Sequence, residues 1–250
     1  MEIKSEAEIA GIREAGRVVA AALAAVGELV APGVTTAALN RRAEEVIAER
    51  GAKPAFPSEA GFPAACCISV NEQVVHGLPD ARKLKSGDIV SIDVGAKLGG
   101  FIGDAAWTFP VGEVSGAALR LLMAGRTALE RAAAHARVGN GLDDIGRAIE
   151  GCARENGFTV VRDFVGHGVG KRLHEEPQVP NYSPVGKVLA EIRFAKGMVI
   201  AIEPMLNAGG DAVRIARDGW TVVTADGSIS CHFEHTVAVG DDGGIVLTAL

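Results

Sequence analysis

Apolar residues recur at helical spacing from "SEAE", where Ser5 and Glu8 form a capping-box pattern, to "APG" at 31–33. A second helical stretch runs from about Thr36 to Arg50 and stops at Gly51. Much later, "VGNGLDDIGRAIEGCARENG" repeats that grammar: a glycine, an apolar-periodic helix, a terminating glycine. The interval Gly139 to Gly157 equals the interval Gly33 to Gly51. Two strand-like runs echo each other as well. "KSGDIVSID" ends in Asp93 and "AKGMVIAIE" in Glu203, each acid six residues after a glycine, and each is followed by a hairpin-like stretch with a further acid, Asp104 or Glu234. The pattern predicts a single α+β domain over 1–250, built of pseudo-symmetric halves at about 1–112 and 113–250. Sequence-distant strands are expected to share one antiparallel sheet, covered on one face by helices.

The stretch "SIDVGAKLGGFIGDAAW" sharpens the expectation, because Asp93 and Asp104 stand in otherwise apolar sequence on either side of a glycine-rich turn. With Leu98-Gly99 as a two-residue turn, Lys97 opposes Gly100 and Asp93 lies directly across from Asp104, with Cβ atoms about 5 Å apart. Carboxylates that close repel unless they share a proton or a cation. Pseudo-symmetry would bring Glu203 and Glu234 to the same place, and four carboxylates formally balance two divalent metal ions. A water between two such ions becomes a usable nucleophile near neutral pH. Among the six histidines, His167 in "FVGHGVG" is the best candidate for a fifth ligand, since the flanking glycines let the backbone approach a site closely. His174 in "RLHEEPQ" and His76 in "VVHGLP" are further candidates, whereas His135 in an alanine-rich helix reads as structural.

Composition narrows the setting. The chain has 250 residues, 48% of them hydrophobic, enough for a substantial core. Its amino terminus has no basic segment followed by an apolar run, and "VVAAALAAVGELV" is too short and alanine-rich to span a bilayer. A soluble protein without a secretion signal or membrane association is expected. Four cysteines, including adjacent Cys66 and Cys67 but no CxxC spacing, suggest neither a disulfide framework nor a zinc ribbon, and fit a reducing cytoplasm. A net charge of −6 leaves no basic footprint for nucleic acid.

Set side by side, "IDV", "GDAAWTF", "FVGHGVGKRLHEEPQVPNY", "IEPM" and "FEHTVAV" resemble the type I methionine aminopeptidases, metallopeptidases with the pita-bread fold. The resemblance runs from about residue 4 to the end and matches the short bacterial form, without the helical insertion of type II or a zinc-binding extension. It implies a dinuclear hydrolase that removes the initiator methionine from nascent proteins with a small second residue, by attack of a metal-bridging hydroxide on the first peptide bond. It further implies Asp93 as chelating ligand of one metal, His167 and Glu203 as terminal ligands of the other, and Asp104 and Glu234 as bridges. The ions would be cobalt, manganese or iron(II). By the same analogy Glu203 carries a proton, His76 and His174 hydrogen-bond the scissile amide and the tetrahedral species, and Phe62, Cys67, Leu173 and Trp220 form the methionine pocket with His76 at its rim. The implied partners are nascent amino termini at the ribosome, met by a monomer.

Three positions depart from what that family often shows. Ala105 and Ala201 stand where threonines are common, and Leu173 where an aromatic often covers the methionine side chain, which puts supporting hydrogen bonds and pocket shape in question. Proline-directed peptidases of the same fold are a rival reading, but they usually carry a separate amino-terminal domain for which this chain has no room. A fold-sharing binding protein without catalysis is a second rival; the complete ligand set speaks against it. The chain's own start, "MEIK", places a bulky acid second, so Met1 is expected to be retained.

Overall fold

A computed structural model describes residues 2–249; Met1, whose retention the sequence predicts, lies outside them. The first helix, Glu6–Leu29, opens on the expected capping box: the Ser5 side chain accepts from the Glu8 backbone N–H while the Glu8 carboxylate accepts from the Ser5 N–H. Its buried stripe, with Ile12, Ala15, Val19 and Val26, lies against the long hairpin Ile89–Leu98 and Phe101–Pro110. Helix Thr36–Glu49 packs beside it, and the two helices share an apolar cluster with strand Cys66–Val70 and the inward side of the hairpin. Gly16 and Gly103 let helix and hairpin touch: a Cβ on Gly103 would lie 2.5 Å from the Gly16 nitrogen.

The second half repeats this plan. Helices Gly116–His135 and Leu142–Glu155 cover strands Val199–Ile202, Met205–Asn207 and Ser230–His232, with Leu121, Leu129, Ile145, Ile149, Ile200 and Leu206 in one buried cluster. Helices Thr36–Glu49 and Leu142–Glu155 have equal length and stand at equivalent places in the repeat. The glycines that open and close their turns match in backbone angle too: Gly33 and Gly139 at φ 92° and 89°, Gly51 and Gly157 at 72° and 77°.

The strand pairings of the named strands are antiparallel, as the sequence predicts, but they do not form one continuous sheet. Among the described residues they divide into four hydrogen-bonded sheets. The first half's hairpin is unbroken over ten residue pairs. In the second half each ribbon is interrupted at an acid: Glu203 falls between Val199–Ile202 and Met205–Asn207, and Glu234 between Ser230–His232 and His235–Ala238. The halves are joined where Ala106 and Glu234 exchange backbone hydrogen bonds of 2.9 and 3.4 Å. Beside that join, Thr236 Oγ1 donates to the Asp104 carbonyl at 2.8 Å and accepts the Asp104 N–H at 3.1 Å. No helix among the described residues is long and apolar enough to cross a membrane.

Candidate active site

Each functional side chain is placed by a local feature of the chain. The hairpin's register differs from the expected one: the turn is Gly99-Gly100, both with positive φ (58° and 87°), and Leu98 pairs with Phe101. A two-residue turn of this kind needs left-handed backbone at both central positions, which leucine resists and glycine accepts. The correction moves each partner by two residues. Asp93 therefore opposes Ala106, and Asp104 opposes Gly95, so the two acids are diagonal neighbours rather than directly opposed. Because the slip is even, both still point to one face, away from the helices.

On that face lies a cavity of about 500 Å³. Asp93 and Asp104 reach it from the hairpin, Glu203 and Glu234 from the two strand breaks, and His167 from the short strand Gly166–Gly168. Asp104 and Glu234 are buried, and Asp93 Oδ1, Asp104 Oδ1 and Glu234 Oε1 are enclosed without a hydrogen-bond partner. No lysine or arginine among the described residues lies within ion-pair distance of any of the four acids. Burial pushes the Asp104 carboxyl up to about 7, and burial together with Asp104 and its neighbours pushes Asp93, Glu203 and Glu234 well above the ordinary carboxylate range.

His167 supplies the complementary observation. Its Nδ1 lies 3.0 Å from the Gly168 carbonyl oxygen, which can only accept, so Nδ1 carries the hydrogen. That leaves an Nε2 lone pair 3.5 Å from Glu203 Oε1 and 3.8 Å from Asp104 Oδ2. Burial, reinforced by His174, brings the ring's pKa down to about 4, so it does not serve as the counter-cation. One lone pair facing two carboxylates is a donor set waiting for a metal, and an Nδ1–H anchored on a carbonyl is the usual support of a metal-binding imidazole. Donor atoms of Asp104, His167 and Glu234 lie within 4.8 Å of one another. The residues present fit divalent metal.

The remaining predicted residues line the same cavity. His76 holds a left-handed backbone, φ 58°, unusual for a side chain of its size, and its ring stands edge-on to Phe164 at 5.6 Å. Gly77 follows it because a Cβ there would lie 2.2 Å from the Ile68 carbonyl oxygen. His174 lies edge-to-face on His167, ring centroids 4.4 Å apart. Phe62 meets Trp220 at 5.3 Å, and Cys67 and Leu173 close the apolar wall with them. Cys67 pairs across the ladder with Asp93, and burial raises its thiol pKa far above the ordinary value, which keeps it a neutral packing group. His135 sits outside, exposed at the end of its helix beside Asn140.

Of the two absent threonines, position 201 lies in the strand that leads to Glu203, paired with Thr236. Position 105 is different. Ala105 belongs to the apolar cluster under the helices, on the opposite side of its strand from Asp104, so a hydroxyl there would not reach the acids. Sequence reasoning missed His232. It is 2% exposed, lines the cavity, and its Nε2 lies 3.9 Å from both Glu203 Oε2 and Glu234 Oε2. The available signal was its place two residues before Glu234, a spacing that puts both on one face of the regular strand the sequence suggests.

Four acids, with His167 and His232 against them, meet between two pseudo-symmetric halves. The chain belongs to metallopeptidase family M24, whose model matches residues 10–241. Within that family it is similar to a methionine aminopeptidase of Clostridium perfringens, 48% identical over 248 residues that cover 99% of this chain and 98% of the relative. A solved methionine aminopeptidase from Thermotoga maritima superposes with a TM-score of 0.96 at 43% identity, each chain covered fully. A prolidase from Pyrococcus furiosus shares the fold with a TM-score of 0.80 at 24% identity, and this chain, covered to 99%, spans 65% of it.

Proposed function

We propose that the chain is a metal-dependent aminopeptidase that releases the amino-terminal methionine of new proteins whose second residue is small. The observation that carries this reading is the juxtaposition, in one cavity, of four carboxylates without a lysine or arginine partner, the His167 lone pair and an apolar wall of Phe62, Cys67, Leu173 and Trp220. Asp93, Asp104, His167, Glu203 and Glu234 would hold two divalent ions of the cobalt, manganese or iron(II) type. Bound there, the ions would supply Lewis acidity and an activated water near neutral pH.

The chain's own groups do the rest. Phe62, Cys67, Leu173 and Trp220 take an unbranched apolar side chain out of water, which anchors the first residue and aligns its peptide bond with the acids. Glu203 would accept the proton of the attacking water and return it to the leaving amine. His76 and His174, neutral through burial, are free to hydrogen-bond the scissile amide and the oxygen on which charge develops. A bulky or acidic second residue would meet the cavity wall and the four carboxylates. The whole chain acts as one catalytic domain, and we infer a monomer working in the cytoplasm on amino termini emerging from the ribosome.

The test is release of free amino acid from Met-Ala-Ser, Leu-Ala-Ser, Met-Glu-Ile and a Met-Pro dipeptide by metal-reconstituted chain. Release from Met-Ala-Ser alone is expected. Preferential cleavage of the proline dipeptide would replace this reading with a prolidase-like one, and turnover of no peptide with any of the three metals would leave it without support.

A further inference from the structure

His232 belongs to none of the roles above, yet it is the least explicable side chain of the cavity if it has none. Its backbone is fully engaged: the His232 N–H donates to Thr108 Oγ1 at 2.9 Å, and that hydroxyl donates to the His232 carbonyl at 2.7 Å. Thr108 has thereby spent its only hydrogen, so the 2.8 Å contact with Ser91 must be donated by the Ser91 hydroxyl. Pairing of His232 with Met205 in the adjacent strand fixes the position further. The backbone at His232 is therefore held in place, and the ring's Nε2 is buried with no hydrogen-bond partner. An unpartnered buried polar atom costs about 1–3 kcal/mol. A leucine or phenylalanine would fill the same space without that cost.

Two carboxylate oxygens face this atom, Glu203 Oε2 and Glu234 Oε2, each at 3.9 Å. At that separation neither contact is a hydrogen bond, but a carboxylate that rotates by about 1 Å makes one. His232 stands outside the set of mutually close donor atoms from Asp104, His167 and Glu234. Asp93 and Glu203 also stand outside that set, so measurement rather than position separates support of the acids by His232 from direct ligation.

Resting on the metal reading above, we infer that His232 is a positioning residue of the metal centre. Its Nε2–H donates to the carboxylates of Glu203 and Glu234 and fixes which of their oxygens face the ions. Carboxylate ligands left without such support typically lose about 10–100-fold in metal affinity.

Three measurements on His232→Leu and His232→Gln decide it: manganese affinity by calorimetry, the visible spectrum of the cobalt-loaded protein, and melting of the metal-free protein. Leucine should weaken manganese binding by about 10–100-fold while the metal-free variant melts at or above the wild-type temperature, since no unpaired nitrogen remains. A purely structural role would lower that melting temperature. Glutamine can still donate an N–H but is a poor metal ligand, so it should restore affinity to within a few-fold and leave the cobalt spectrum unchanged. Unaltered affinity in the leucine variant would overturn the inference. Glutamine as damaging as leucine, with a shifted cobalt spectrum, would overturn it in favour of direct ligation. Failure of the wild-type chain itself to bind metal would instead remove the reading on which the inference rests.

Discussion

The two halves of the molecule deliver their acids by different means. In the first, Asp93 and Asp104 lie within one unbroken hairpin, and their side chains reach the cavity because alternate residues of a strand share a face. In the second, Glu203 and Glu234 occupy breaks between strands, where the ribbon splits and belongs to two sheets. A hairpin fixes two side chains at ladder spacing. A break lets the chain turn an acid toward a point that a regular ribbon would miss. The comparison teaches that a shared two-helix, one-ribbon plan can give up its regularity on one side only, with the unbroken hairpin as the rigid reference. The join between Ala106 and Glu234 ties the irregular part to the regular one.

The sharpest way to break this comparison is to neutralise one acid from each half, Asp104 and Glu234, which we propose to bridge the ions. Asp104→Asn and Glu234→Gln should each reduce methionine release to background at the same supplied metal concentration, with circular dichroism unchanged. The double variant should be no worse than either single one, because the two acids act as a unit. A half-active variant from either side would mean that the halves do not share their ions. Next in size, His174→Ala should lower turnover by about 10²–10³-fold, the loss expected for one transition-state donor, with metal stoichiometry intact by elemental analysis. Loss of the ion in that variant would place His174 among the ligands.

Smaller effects probe the join and the hairpin's inner side. Thr236→Val removes a hydroxyl that both accepts from and donates to the Asp104 backbone, leaving two buried groups unpaired. A loss of about 1–3 kcal/mol in urea unfolding is expected. No change would mean that the join does not depend on this hydroxyl. Smallest of all in its effect on the site, Ala105→Thr should leave manganese affinity unchanged while costing about 1–3 kcal/mol through overpacking and an unpartnered hydroxyl under the helices. Tighter metal binding in that variant would show that position 105 communicates with the acids after all.

Much of this was legible in the chain, for identifiable reasons. Helix signals are local, so Ser5 with Glu8 at one end and Gly51 or Gly157 at the other placed helices within a residue or two. The facing of Asp93 and Asp104 survived a misplaced turn because an error of two residues preserves strand parity. The turn itself was readable from Gly99-Gly100, since only that pair tolerates two consecutive left-handed residues. The division into four sheets was not legible. In "AKGMVIAIEPM" Pro204, with no N–H to donate, is a local mark of the break at Glu203, but which sheet each piece joins depends on distant segments such as Phe233, whose N–H donates to the Pro204 carbonyl. His232 was hidden for a related reason. In "SCHF" it looks like one more core position, and its importance depends on Glu203, far away in sequence.

Native mass spectrometry of the metal-stripped chain, titrated with manganese, tests the central claim most directly, that acids from both halves hold one shared pair of ions. Two ions per chain are expected at saturation for the wild-type protein. Asp104→Asn should bind fewer, and so should Glu234→Gln from the opposite half. Saturation at two ions in both variants, or no bound ion in the wild type, would contradict the account.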